Sequence, residues 1–243
     1  MAVGAQQRGS DPTTATGPAP WRLELAARVR RGCVRTVLCT TALTGLFFVG
    51  YFFVQRHPVF TPLVMPRTRL DLLIPYQPAA LLAYASLWVY IGAGPGLQRS
   101  RTDFVAYGLW LCAMCCGALG IFFFCPTQVP APIPTVDTFP GMAVLHSVDE
   151  TGNACPSMHV AAAIFTVVRV QEALRSIRAP LALRLLNAAW CSAIVYSTLA
   201  TRQHVVLDVV GGAALGLVFV LMSLRWRPLV GRQPALARTL RTG

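Results

Sequence analysis

The chain contains no lysine. All 21 of its basic residues are arginine, set against nine acidic ones, and charged residues make up only 12% of the 243 positions. Water-soluble domains average about 25% charged residues, so this chain has too little charge to cover a soluble surface. With 55% hydrophobic residues and a mean hydropathy of +0.55, it reads as a polytopic membrane protein of the all-α class. The net charge of +12 and the pI near 10.1 raise nucleic acid as a partner. The arginines argue against that, because they fall between apolar runs instead of gathering on one soluble face.

No cleavable leader is expected. The first apolar run starts near Val37, and no small-residue cleavage site follows it before Arg56, so that run is expected to stay as an anchor. Residues 1–20 are rich in Ala, Gly, Pro and Thr with no apolar period. A disordered cytoplasmic tail is therefore expected, drawn to residue 30, followed by a membrane domain over 31–226 and a basic cytoplasmic tail over 227–243.

A membrane-crossing helix needs about 20 mostly apolar residues. Six windows approach that: 36–55, 77–97, 104–125, 157–173, 185–202 and 204–224, the fourth and fifth being the least apolar. Each must be helical, because lipid offers backbone amides no partner. The expectation is a six-transmembrane-helix bundle with both termini on one side. Sixteen arginines fall on the side of the termini and four (Arg56, Arg67, Arg69, Arg202) on the other, with Arg169 inside a span. That bias predicts a multi-pass cell-membrane protein with cytoplasmic termini. The stretches "NACPSMHVAAA" (153–163) and "TRQHVVLD" (201–208), and the loop from Pro126 to Cys155, then lie at the extracytoplasmic face.

Ionisable residues inside a membrane are functional candidates by default. Four of the five that this chain offers, His159, Arg202, His204 and Asp208, share that face. His204 and Asp208 stand four residues apart, which stacks them on one side of a helix, so the carboxylate can fix the imidazole tautomer and leave the other ring nitrogen to act as nucleophile or base. Pro156 and Ser157 suit the first turn of the fourth span, whose free amides form an anion site. His159, one turn in, could donate a proton to a leaving oxygen when a bound anion keeps it charged. Arg202 supplies a fork for phosphate oxygens. Together these parts describe phosphoryl transfer through a phosphohistidine: His204 attacks phosphorus, His159 protonates the departing alcohol, and Asp208 stabilises the imidazolium. The scheme calls for no metal or other cofactor, since arginine and helix-terminal amides hold the developing charge.

These residues resemble the motifs of the type 2 phosphatidic acid phosphatase family, the membrane relatives of vanadium haloperoxidases and inositolphosphorylceramide synthases. The resemblance covers roughly residues 75–225. Of the family's motifs KxxxxxxRP, PSGH and SRxxxxxHxxxD, the second appears as Pro156, Ser157, Met158 and His159, and the third as "STLATRQHVVLD" with Ser197, His204 and Asp208 in register. The resemblance implies His159 as the acid, His204 as the nucleophile and Asp208 as its partner, with Ser157, Met158, Arg202 and Ser197 around a lipid phosphate substrate. The chain departs from the pattern at Met158, at Thr198, and at Phe124 and Ala131, which stand where the first motif has lysine and arginine. Arg202, one turn beyond Thr198, is expected to compensate there. "PSMH" with "TRQHxxxD" is similar to the inositolphosphorylceramide synthase branch, which implies transfer to an alcohol as an alternative to hydrolysis. The contrasting reading is a membrane lipid-binding or scaffold protein that has the fold but a weakened phosphate clamp.

Other features carry plainer readings. A lone histidine at a helix start is usually just solvated or capped; here the joint occurrence with the second histidine and the aspartate argues for chemistry. A site of two histidines and one aspartate for a metal is the competing reading, without a soft ligand set to support it. Cys112, Cys115 and Cys116 share a helical face and read as packing thiols. Cys125 and Cys155 bracket the outer loop, where a disulfide and two free thiols are both open. Gly212 and Gly216 form a GxxxG helix contact, "GAGPG" at 92–96 reads as a helix end and turn, and His146, Asp149 and Glu150 as solvated loop residues. Oligomeric state is left open.

Overall fold

A computed structural model describes residues 21–130 and 152–226. The described chain is mostly helical: α1 Trp21–Arg56, α2 Arg69–Leu73, α3 Leu81–Ala85, α4 Leu87–Gly96, α5 Arg101–Phe124, α6 Met158–Ser176, α7 Leu181–Ala200 and α8 Val206–Arg225. Two short strands, β1 Leu63–Val64 and β2 Thr127–Gln128, pair in parallel with Leu63 opposite Thr127.

Among the described residues, four segments are long and apolar enough to cross a membrane: Cys33–Arg56, Pro78–Gly96, Arg101–Phe124 and Val206–Arg225. They coincide with the first, second, third and sixth windows read from sequence. Their outward faces expose large apolar side chains, among them Leu46 and Val49 of α1, Leu109 of α5 and Leu221 of α8, a belt that water would not tolerate. The chain is a membrane protein. The fourth and fifth windows are helical as expected, in α6 and α7, but less apolar. α6 lies at the centre of the bundle, with Val160, Ala161, Ala163 and Phe165 fully buried, so its neighbours are protein on several sides and it tolerates charge. Its Arg169 is sealed in the interior, donating to Glu172 Oε2 at 2.9 Å and to Gln98 Oε1 at 3.0 Å, the pairing a buried cation needs.

Residues 21–30, assigned above to the tail, instead form the first turns of α1. Arg28 explains the difference. It donates to Glu24 one turn back, and to the Leu97 carbonyl and Ser176 Oγ of other segments, so tertiary bonds hold a stretch, WRLELAARVR, that is itself made largely of strong helix formers. The second crossing is broken at Ser86, whose hydroxyl donates to the Ala83 carbonyl at 2.7 Å and accepts from the Trp190 indole at 2.9 Å, a side-chain bond of the kind that bends helices. "GAGPG" lies within the last turns of α4 and not past its end, because the absence of a Cβ at Gly94 makes room for the Tyr107 ring.

α6 and α8 pack closest. A Cβ at Gly212 would run into the Ser157 carbonyl, and one at Gly216 into the Ala161 backbone, so the GxxxG pair does bring two backbones together as expected. This contact sets the heads of α6 and α8 side by side and so positions the site.

Candidate active site

The helix of the second motif begins one residue later than expected, at Met158. Ser157 is the N-cap of α6, its Oγ accepting from the Val160 amide at 3.4 Å, and Pro156 stands before the helix. Within the first turn, the amides of Met158 and His159 have no partner among the described residues, which leaves them as donors at the positive end of the helix dipole. The Ser157 amide is engaged differently: it donates to the Asp208 carbonyl at 3.0 Å, joining the two motifs through their backbones.

The third motif is a turn between helices. The Thr198 carbonyl near the end of α7 accepts both the Gln203 and the His204 amides at 3.1 Å. Arg202 makes that reversal in a left-handed conformation with φ of 61°, at a cost on the order of 1–3 kcal/mol for a non-glycine residue. The head of α8 is then held by two carboxylates. Asp208 Oδ2 accepts from the Val205 amide at 2.9 Å, and Asp71 Oδ1, reaching across from α2, accepts from the Val206 amide at 2.8 Å.

His159 and His204, 45 residues apart in sequence, have ring centroids 6.3 Å apart. Asp208 is fully buried, with Oδ2 at 3.5 Å from His204 Nδ1. His204 therefore turns its Nδ1 edge to the carboxylate and its Nε2 edge away from it. His159 is oriented by a residue that the motif reading missed. The Tyr84 ring stacks on it at 4.0 Å, and the Tyr84 hydroxyl lies 3.3 Å from His159 Nδ1, while Trp88 meets it edge-on at 5.8 Å. The remaining nitrogen of His159, Nε2, is buried without a partner among the described residues, as is Arg202 Nε.

Met158, His159, Arg202 and His204 all line one cavity of about 740 Å³ between α1, α4, α5 and α6. Ser157 and Ser197 do not. Their hydroxyls are engaged inside their own helices, that of Ser197 donating to the Ile194 carbonyl at 2.6 Å, so both motif serines shape backbone instead of facing the cavity. A smaller cleft beside it is lined by Arg67, Arg202 and His204. Arg67, read from sequence only as a topological charge, thus approaches the site. Sequence carries no signal for it or for Tyr84, because neither lies in a motif.

The first-motif window offers no cation. Phe124 is exposed, and Ala131 lies outside the described residues, as do His146, Asp149 and Glu150. Of the loop cysteines, both Cys125 and Cys155 are free thiols. Burial, with the nearby Asp208 carboxylate, pushes the Cys155 thiol up, which keeps it protonated and unreactive. The backbone of Cys155 is instead fastened to Thr127, its amide donating to Thr127 Oγ1 at 2.8 Å. Of the clustered thiols in α5, Cys112 and Cys115 are partly buried and Cys116 is exposed.

No curated protein and no solved structure matches the chain. The comparison with family models does give an answer, and it falls on the helices just described: the model of the PAP2 superfamily matches residues 104–232, more than half of the chain and both histidine motifs, so the chain belongs to the PAP2 superfamily.

Proposed function

We propose that this protein removes or transfers the phosphoryl group of a lipid phosphate or pyrophosphate through a phosphohistidine on His204. Membership of the PAP2 superfamily supports phosphatase-type activity on a lipid phosphate. The observation that carries the finer reading is the convergence of two imidazoles, 6.3 Å between centroids, with a buried carboxylate behind one of them and an arginine on the same cavity.

In this mechanism the Nε2 lone pair of His204 attacks phosphorus and the P–O bond to the lipid alcohol breaks. Asp208 stabilises the Nδ1–H of the imidazolium that forms. The leaving oxygen takes its proton from Nε2 of His159, whose Nδ1 is engaged by Tyr84. Water, or an alcohol in the manner of the synthase branch, then attacks the phosphohistidine with His159 accepting its proton. Arg202, Arg67 and the first amides of α6 hold the equatorial oxygens, replacing the cations absent from the first motif. Phosphate stabilisation then comes from protein donors, and turnover is expected to persist in a chelator.

The arginine bias supports a six-crossing bundle with cytoplasmic termini, in which α6 and α7 are the two less apolar crossings and α6 is the one shielded by protein, and the site opens on the extracytoplasmic side. Substrate would reach it sideways from the outer leaflet.

The test is phosphate release from lipid phosphates and pyrophosphates by the detergent-solubilised protein and by His204→Ala, with and without an alcohol acceptor, together with trapping of a base-stable, acid-labile phosphoryl label on His204. Release and label confined to the wild type are expected. Equal release from both proteins would discard the mechanism and favour the non-catalytic reading, and a new phospholipid product would assign transfer over hydrolysis.

A further inference from the structure

The cavity is far deeper than a phosphate requires. Beyond Arg202 and His204 it continues between α1, α4 and α5, past Tyr51 and Phe52 near the end of α1 down to Cys39 at the middle of that helix. At 1.5 Å per residue, Phe52 to Cys39 spans about 20 Å, which exceeds the ~15 Å half-thickness of a bilayer's hydrocarbon core. The lining at the deep end is Cys39, Pro95 and Phe104, and the guanidinium of Arg35 sits over the Phe104 ring, 4.4 Å from its centroid.

From this geometry we infer that the cleft holds one whole hydrocarbon chain of the substrate and measures its length, which makes the substrate a fatty-chain lipid phosphate and not a polyprenyl one. The inference rests on the phosphoryl-transfer reading for its head group and on the cavity alone for its tail. A chain already in the bilayer gains little by moving into an equally apolar cleft, so discrimination must come from fit. A short chain leaves the lower cleft without contacts, while an overlong one meets Phe104 and would have to displace the Arg35 cation from its ring. A polyprenyl chain, several times longer than a leaflet, has no room. The polar mouth fixes the register, because the phosphate must reach Arg202 and His204 before the tail is measured.

Gly108 gives the means to test it. It lines the cleft one turn above Phe104, and a Cβ built on it meets nothing within 4 Å, so a larger side chain there enters open space and also removes a helix-weakening glycine. The probe is a series of alkylphosphonates, whose P–C bond resists hydrolysis, from butyl to docosyl, binding to the full-length protein in detergent. Wild-type affinity is expected to pass through a maximum near leaflet length. In Gly108→Phe that maximum is expected to move to shorter chains, with binding of the wild type's preferred chain weakened about tenfold or more, as methylene-scale misfits in apolar pockets produce. Gly45→Leu, on α1 and away from the cleft with nothing within 4 Å, is expected to keep the wild-type profile. Superimposable profiles for wild type and Gly108→Phe, or affinity that rises without a maximum, would overturn the inference. Phosphate release from the matching alkyl phosphates, measured in parallel, separates the two readings. A length maximum in binding without release leaves the cleft and removes the enzyme, and release without a length maximum does the opposite.

Discussion

The amide of Ser157 donates to the carbonyl of Asp208 at 3.0 Å, so the residue before one motif helix and a residue in the first turn of the other are bonded across 51 positions of sequence. The bond is possible only because Gly212, one turn further along α8, leaves the Ser157 carbonyl and Val160 undisturbed. Gly212→Ala is therefore expected to force α6 and α8 apart, destabilising the protein by about 1–3 kcal/mol as overpacking does, and to lower turnover by moving His159. Gly120→Ala, whose Cβ meets nothing within 4 Å, is the control and is expected to be neutral or slightly stabilising. Thermal unfolding in detergent compares them; a Gly212→Ala protein that melts with the wild type would disprove the close fit.

Asp208 has a structural and a chemical task, and one substitution separates them. In Asp208→Asn the amide oxygen can still accept from the Val205 amide, so the head of α8 is expected to hold, while the charge that steadies the His204 imidazolium is gone. Turnover should fall on the order of 10³-fold with little change in melting temperature. Rapid-quench measurement of His204 labelling locates the loss, which is expected in formation of the phosphoenzyme. Unchanged labelling would move Asp208 out of the reaction.

Tyr84→Phe keeps the ring that stacks on His159 and removes the hydroxyl at its Nδ1. One hydrogen bond is worth about 0.5–1.5 kcal/mol net, so the loss is expected to reach about tenfold at most. Its signature is selectivity for the leaving group. Alkyl phosphates, which need a proton on the departing oxygen, should slow, whereas an aryl phosphate with a good leaving group should not. Equal slowing of both would assign Tyr84 a packing role instead.

The legible parts of the site are those that spacing can carry. His204 and Asp208 are four residues apart and His159 heads an apolar run, so all three could be named from sequence, and the structure brings their side chains together. The shared helical face expected for the pair is not what does it, because His204 stands in the turn two residues before α8 and only Asp208 lies on the helix. Ser157 and Ser197 share the same motifs, yet a motif cannot distinguish a hydroxyl that caps a helix from one that faces a cavity, and here both serve backbone. Tyr84 and Arg67 were invisible because tertiary packing alone brings them near His159 and Arg202. Hydropathy behaved similarly: lipid-facing crossings such as α1 and α8 declare themselves, while α6, wrapped in protein, can carry Arg169 and so shows a weaker apolar signal.

The absent first-motif cations make the arginines the sharpest remaining test. Arg202 and Arg67 line one small cleft with His204 from opposite sides of the chain, Arg202 from the turn before α8 and Arg67 from the segment before α2. If they share the phosphate, each contributes charged hydrogen bonds worth about 1.5–3 kcal/mol, so Arg202→Ala and Arg67→Ala should each lower kcat/KM by about 10- to 100-fold. Arg202→Lys should recover little, because an ammonium cannot reproduce the planar two-point grip of a guanidinium. Competitive inhibition by inorganic phosphate provides a readout independent of the lipid tail: weaker inhibition is expected in both alanine variants, with the double variant losing less than the sum if the two side chains grip the same oxygens. Undiminished turnover in Arg202→Ala would remove it from the clamp, and phosphate inhibition unchanged in Arg67→Ala would return Arg67 to the topological role its sequence position suggests.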